Sequence, residues 1–250
     1  MNSLARIGFD EYHMENSVAN PESDGFSILA EMLEKAGHQI ERIYTVLPTS
    51  EPLPWDLLVI PFPKLAFSTA ESLALHDHLR SGKGLLLLAE WGDLFDHVDH
   101  LNEVTSPYGI QIQRDRVTDP TEHLTQEVRL GDVVLDEQAT LHFVRIRTFT
   151  DHPICDGLGE LIYFSGCSLR ADESAKVLAY TEKSSFGDLD LDQELGEGEV
   201  GGSLPIAVAS EAAGRLVVVG DSNIAANGYI EEGDNMKFVM QTMEWLLFER

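Results

Sequence analysis

Three short polar stretches carry the residue types that could do chemistry. The first is Asp10-Glu11-Tyr12-His13, directly after an apolar run. A carboxylate beside an imidazole can orient it, raise its pKa or join it around a metal ion. The plainer reading has Asp10 capping a turn and His13 in water, since polar residues gather at strand ends whatever the function. The second stretch is Glu90-Trp91 and the third is Asp221-Ser222-Asn223, each again after an apolar run. If all three meet, Asp10, Glu11, His13, Glu90, Trp91, Asp221 and Asn223 line one carboxylate-rich cleft. Such a cleft would suit a polyol, with the Trp91 ring on the apolar face of a sugar and the acids on its hydroxyls. Packing at the end of a sheet is the simpler role for Trp91. Acid and base work would fall to Asp10, His13 and Glu90, on water activated directly or through a divalent ion. Gly220-Asp221-Ser222-Asn223 has the small residues of an anion-binding turn, but its aspartate opposes phosphate. Side chains bonding their own backbone explain it better.

Other motifs are weaker. Cys155 and Cys167 cannot build a disulfide framework, and neither follows a strand-to-helix elbow, so both read as small buried hydrophobes. Asp188, Asp190 and Asp192, with Glu199, have the spacing of a calcium loop, yet Gln193 stands where glycine must make the sharp turn. His97 and His100 share a helical face near Asp96 and Glu103, and His76 and His78 are close together. Without an HExxH or CxxC pattern they read as surface residues. No cofactor and no resident metal is expected.

The elements that must position these residues follow from composition and periodicity. The 250 residues hold 43 acids against 17 bases, a formal net charge of −26. That field repels phosphate backbones and anionic lipid, so nucleic acid is excluded as a direct partner. A content of 43% hydrophobic and 8% aromatic residues is that of a folded chain. One domain over residues 1–250 is expected. The start lacks the apolar stretch of a signal peptide, which points to the cytoplasm, and no apolar run approaches the roughly 20 residues that span a bilayer.

Residues 4–9 read as a strand, 26–36 as a helix stopped by Gly37, 40–46 as a second strand and 56–60 as a third. Ser68 and Glu71 have capping-box spacing for the next helix, and residues 85–89 form the fourth strand. The alternation implies an α/β fold with a flavodoxin-like, doubly wound, mostly parallel sheet. A helix over 98–108, strands at 110–114, 128–135 and 141–146, and an exposed acidic loop over 184–202 come next. An antiparallel pair over 204–210 and 215–220, turning at Ala213-Gly214, and a helix over 235–248 complete the reading, with β elements added in the second half.

With these residues placed, the sequence resembles the class I glutamine amidotransferase-like superfamily. More narrowly it resembles the branch shared by the amino-terminal domain of an intraflagellar-transport complex B subunit and the auxiliary subunit of the gliding-motility ABC transporter. The likeness runs in order through Phe9-Asp10-Glu11-Tyr12-His13, residues 25–37, residues 56–61 with Phe67-Ser68 and Glu71, and residues 81–88 ending in Glu90 and Gly92. It continues through Tyr108-Gly109-Ile110, Asp115-Arg116-Val117, His152-Pro153-Ile154 with Gly157, residues 214–222 and Trp245-Leu246. Trehalose-utilisation proteins look similar too. The resemblance implies a fold whose enzymes place a cysteine nucleophile on the turn after a central strand. Here that turn reads Ala89-Glu90-Trp91-Gly92. The branch it resembles has lost the thiol machinery, which implies recognition without covalent chemistry. Neither the transmembrane helix nor the assembly tail of those relatives is expected here, so their transport and gliding roles are not expected either.

The functional expectation is therefore a non-catalytic domain that binds a small molecule, carbohydrate included, or a protein partner at the carboxyl ends of its strands. The alternative is a hydrolase using Asp10, His13 and Glu90. A third reading gives the acidic loop to a basic partner through salt-sensitive contacts. A homo-oligomer stays open. Only 6 of the 17 bases are lysine, so salt adaptation is a separate account of the charge.

Overall fold

A computed structural model of the chain describes residues 4–247 apart from 131–132 and 212–213. The first elements are β1 (Arg6–Asp10), α1 (Ser27–Lys35), β2 (Gln39–Ile43), β3 (Leu57–Pro61), α2 (Thr69–Arg80) and β4 (Gly84–Leu88). The middle holds α3 (His97–Thr105), β5 (Ile110–Ile112), β6 (Arg116–Thr118), β7 (His123–Leu130), β8 (Val133–Ile146), β9 (Thr148–Phe149), β10 (Leu161–Phe164) and β11 (Leu169–Ala171). Then come β12 (Lys176–Tyr180), β13 (Phe186–Asp188), β14 (Val200–Gly201), β15 (Pro205–Ser210), β16 (Arg215–Val219) and α4 (Asn235–Leu247).

Among the described residues the main sheet has eight strands in the order β2-β1-β3-β4-β16-β15-β12-β9. β2, β1, β3, β4 and β16 run parallel, and β15, β12 and β9 extend the sheet antiparallel. Smaller antiparallel groups, β10-β8-β7, β11-β5 and β14-β13-β6, account for the β elements expected in the second half. The fold is thus mixed α/β, with one large, mostly parallel sheet.

Apolar residues on both faces explain the continuous runs of β3, β4 and β16. Leu57, Val59, Leu86, Leu88, Val217 and Val219 join Leu29 and Leu33 of α1 and Phe238 and Trp245 of α4 in one core layer. Their neighbours Leu58, Ile60, Leu85, Leu87, Leu216 and Val218 join Leu75 and Leu79 of α2 and Leu101 and Val104 of α3 in the other. Two features fix helix ends as expected. Gly37 takes φ +97 just beyond α1, a region closed to most side chains. Ser68 and Glu71 form the complete capping box of α2.

Several boundaries differ from the sequence reading. β2 ends at Ile43, and Tyr44 and Val46 are exposed. α3 stops at Thr105, where Pro107 enters a short 3-10 turn. The strand expected at 128–135 covers the end of β7 and the start of β8, with 131–132 outside the described residues. The turn expected at Ala213-Gly214 also includes a residue outside them. The acidic stretch 184–202 is not a uniformly exposed loop. It opens with buried β13, which pairs with β6 and β14.

Candidate functional site

Parallel strands end together, so the sequence-predicted residues all fall at the carboxyl edge of the sheet. They divide into two groups, because β3 stands between β1 and β4. That is about 10 Å of sheet at the usual strand spacing.

The β1 group begins at Asp10, the last residue of the strand and fully buried. Its Oδ1 accepts from the Tyr12 N–H at 3.0 Å, and its Oδ2 lies 2.6 Å from His13 Nδ1. His13 is buried, not solvated, with its ring 4.4 Å from that of Phe67. Its Nε2 is 3.4 Å from Glu71 Oε1. Glu71 accepts from the Ser68 N–H and hydroxyl and from the Leu47 N–H. Burial works against its charge, but these bonds and His13 hold its carboxyl below the usual range. Glu15 completes the group. It is buried, and neither carboxylate oxygen has a hydrogen-bond partner. Burial first, then the charge of Asp10, push its carboxyl up to about 10. Glu11 turns away from this group. It accepts from Arg42, the Ser17 hydroxyl and the Val18 N–H, an arrangement that fastens the loop to β2.

The second group lies beyond β4 and β16. Glu90 Oε2 accepts from the Ser222 hydroxyl and from Asn223 Nδ2, both at 3.0 Å. Asp221 is fully buried and accepts from the Phe164 N–H at 2.6 Å and the Asn223 N–H at 2.9 Å, so its side chain bonds the local backbone as expected, while that of Asn223 reaches instead to Glu90 and the Phe164 carbonyl. Burial raises Asp221 to about 7. Burial, followed by the charge of Asp221, pushes Glu90 well above the carboxylate range. Gly220 is required here, because a Cβ would collide with the Cys167 carbonyl oxygen and the Tyr163 hydroxyl. Trp91 is half-buried beneath the Arg116 guanidinium, 5.6 Å from its ring centroid. The two cysteines are buried and free, as expected of small hydrophobes. Burial raises the Cys155 thiol to about 11 and that of Cys167 well above the usual value. Neither is poised as a nucleophile.

Two of the four histidines expected at the surface, His78 and His97, are structural, while His76 and His100 are partly exposed. His97 is fully buried, its nitrogens 2.9 Å from the Leu94 carbonyl and 3.0 Å from the Glu90 carbonyl. His78 lies 2.9 Å from the Gly84 carbonyl, and burial lowers its pKa to about 4. In the acidic loop, Asp188 accepts from Arg116 and from the Leu191 and Gln193 N–H groups. Asp188, Asp190 and Asp192 come close together, as do Asp10, His13 and Glu15, whose donor atoms all lie within 4.8 Å of one another. Glu15 and Glu71 are the members of the site that sequence reasoning missed. The signal for Glu71 was its capping box, and for Glu15 its place two residues after His13.

Solved structures with the same architecture include the mmIFT52 N-terminal domain, at 17% identity and TM-score 0.75, with 98% of each chain covered. A ThuA-like protein from Bacteroides uniformis matches at 11% identity and TM-score 0.56, over 97% of this chain and 91% of that one. A cytoplasmic protein from Salmonella typhimurium matches at 13% and 0.57, over 97% and 98%. These likenesses show a shared α/β fold, in which the turn after β4 here carries Glu90. The chain belongs to the family described as Domain of unknown function (DUF4350), which matches residues 18–243. No curated protein matches it. Among the described residues no helix is long and apolar enough to cross a membrane.

Proposed function

We propose that the chain is a non-catalytic recognition module of the cytoplasm, one domain over residues 1–250, which binds a protein partner at the carboxyl ends of its strands. The carrying observation is the contrast between the interior and the rim of that edge. Inside, Asp10, Glu90 and Asp221 are buried and bonded to the protein's own groups. Outside, Tyr12, Met14, Leu65, Leu94 and Phe95 are exposed on the loops after β1, β3 and β4. These loops touch, since the Leu65 N–H donates to the His13 carbonyl and the Phe62 and Phe95 rings are 6.3 Å apart. Met14, Phe62, Phe95 and Asp96 all take left-handed backbone angles without being glycine. Strain of this kind persists where a surface must keep one shape. Exposed apolar residues grouped in this way mark interaction surfaces. A flavodoxin-like sheet and the branch shared by the intraflagellar-transport and gliding-motility proteins belong to the same reading. Support for these comes from the β2-β1-β3-β4 order and the full-length likeness to the mmIFT52 domain.

A photoreactive residue at position 95 tests the proposal, with position 73 on α2 as control. Cross-links from 95 that vanish with Met14→Ser and are absent from 73 are expected; equal labelling from both positions overturns it. Calorimetry against a sugar and polyol panel examines the small-molecule form, in which Trp91, Glu11 and Asn223 take part. A hydrolase reading draws on the 2.6 Å Asp10–His13 contact. Burial of His13 under Phe67, and the engagement of Glu90 with Ser222 and Asn223, weigh against it.

A further inference from the structure

We propose that Asp10, His13 and Glu15 hold a divalent transition-metal ion, Zn2+ or Mn2+, which fastens the loop after β1 to the end of the sheet. The inference goes beyond the recognition reading and stands apart from it, because it concerns the buried interior and not the rim.

Three side chains within six residues supply one donor atom each, all within 4.8 Å of one another, and all three residues are buried. Glu15 is the independent sign of a missing cation. It is only 8% exposed, yet both of its oxygens lack a hydrogen-bond partner. Buried polar atoms are nearly always paired, and an unpaired carboxylate is among the most costly exceptions. The Lys64 ammonium, whose charge acts on Glu15, is directed to Asn16 Oδ1 at 3.5 Å.

The surroundings of His13 suit a ligand. A metal-bound imidazole commonly donates its other N–H to a carboxylate that fixes the ring. His13 Nε2 faces Glu71 Oε1 at 3.4 Å, and Glu71 is itself anchored by Ser68 and Leu47. Nδ1 is then left on the side of Asp10. The present 2.6 Å between Nδ1 and Asp10 Oδ2 is a hydrogen bond. An ion taking the place of that proton would open the pair to about 3.4 Å, the separation of two ligands each about 2.1 Å from a tetrahedral zinc. One imidazole nitrogen with two carboxylates favours a borderline first-row ion over calcium or magnesium, which prefer oxygen alone. All three ligands lie on the segment that carries Tyr12 and Met14, so the ion would set the position of that part of the rim.

The test is calorimetric titration of the whole chain with Zn2+ and with Mn2+ after stripping with chelator. One equivalent per chain is expected, with a raised melting temperature. Glu15→Gln should weaken binding by more than about 100-fold, and Glu71→Gln by about 10 to 100-fold. Asp190→Asn with Asp192→Asn should leave it unchanged. If Glu15→Gln does not fold, His13→Gln takes its place, with loss of the visible absorption of bound Co2+ as the readout. Failure of the wild-type chain to bind either ion at one equivalent overturns the proposal. So does undiminished binding by Glu15→Gln, or loss of binding in the Asp190 and Asp192 variant. Phe95→Ser, which tests the rim, should leave the titration as it is.

Discussion

The edge of the sheet carries two groups of buried acids that differ in how they are satisfied. Beyond β4 and β16, Glu90 and Asp221 accept from Ser222, Asn223 and the Phe164 N–H, so each acid holds two segments together. Beyond β1, Asp10 and Glu71 are equally engaged, but neither oxygen of Glu15, beside Asp10 and His13, has a hydrogen-bond partner. Burial and charge alone do not tell structural acids from ones held for another purpose; the bonds do. The first group acts as a cross-brace, and the second has a place left for a cation.

The comparison breaks if the braced group proves dispensable. Asp221→Ala leaves the Phe164 and Asn223 N–H groups without an acceptor in the core, and stability should fall by about 3–5 kcal/mol. Urea unfolding measures this. Glu15→Gln should do the reverse in metal-free protein near neutral pH, adding about 1–2 kcal/mol, since a carboxyl held at about 10 must take up a proton on folding and the amide need not. A destabilised Glu15→Gln chain would place Glu15 with the braced acids.

Proton linkage sharpens the contrast. Asp221 rises from 3.8 to about 7 on folding, so the folded chain holds this proton more tightly than the unfolded one. Its stabilisation is present below the unfolded value and is lost as pH rises through about 7. Glu90, whose carboxyl burial also raises, adds to the same decline, so Glu90→Gln should flatten the fall in melting temperature between pH 4 and 7. His78, lowered to about 4, slopes the other way and is lost as pH falls, but it cancels in the difference between the two proteins. At the rim, Phe95→Gly should relieve the left-handed backbone at φ +61 and raise stability by about 1 kcal/mol, while removing the ring the partner is proposed to meet. Smallest is Arg42→Ala, where loss of a partly exposed pair with Glu11 should cost about 0.5–1 kcal/mol.

Much of this architecture is legible in the residues. β3, β4 and β16 are apolar at successive positions because helices cover both faces, and that shows without any partner in view. The Ser68 and Glu71 capping box and the bond of Asp221 to the Asn223 N–H are local, within three residues, and show in the spacing. What stayed hidden depends on distant contacts. Buried β13 hides inside an acidic stretch because Asp188 is met by Arg116, 72 residues earlier. His78 and His97 look like surface residues until the Gly84 and Glu90 carbonyls are placed beside them. Glu71 joins His13 across 58 residues, which spacing cannot reveal.

The place of β16 between β4 and β15 bears on how the chain is made. β4 is synthesised early, but its second neighbour begins only at Arg215. Until then a strand reading Gly84-Leu85-Leu86-Leu87-Leu88 has one row of backbone groups unpaired, an invitation to pair with another copy. A ribosome-bound or truncated chain ending before residue 215 should therefore be far more prone to aggregate than one ending after 219. Long-range pairing of this kind also slows folding. The strand that completes the centre of the sheet is thus the one whose late arrival sets how long that edge stays open.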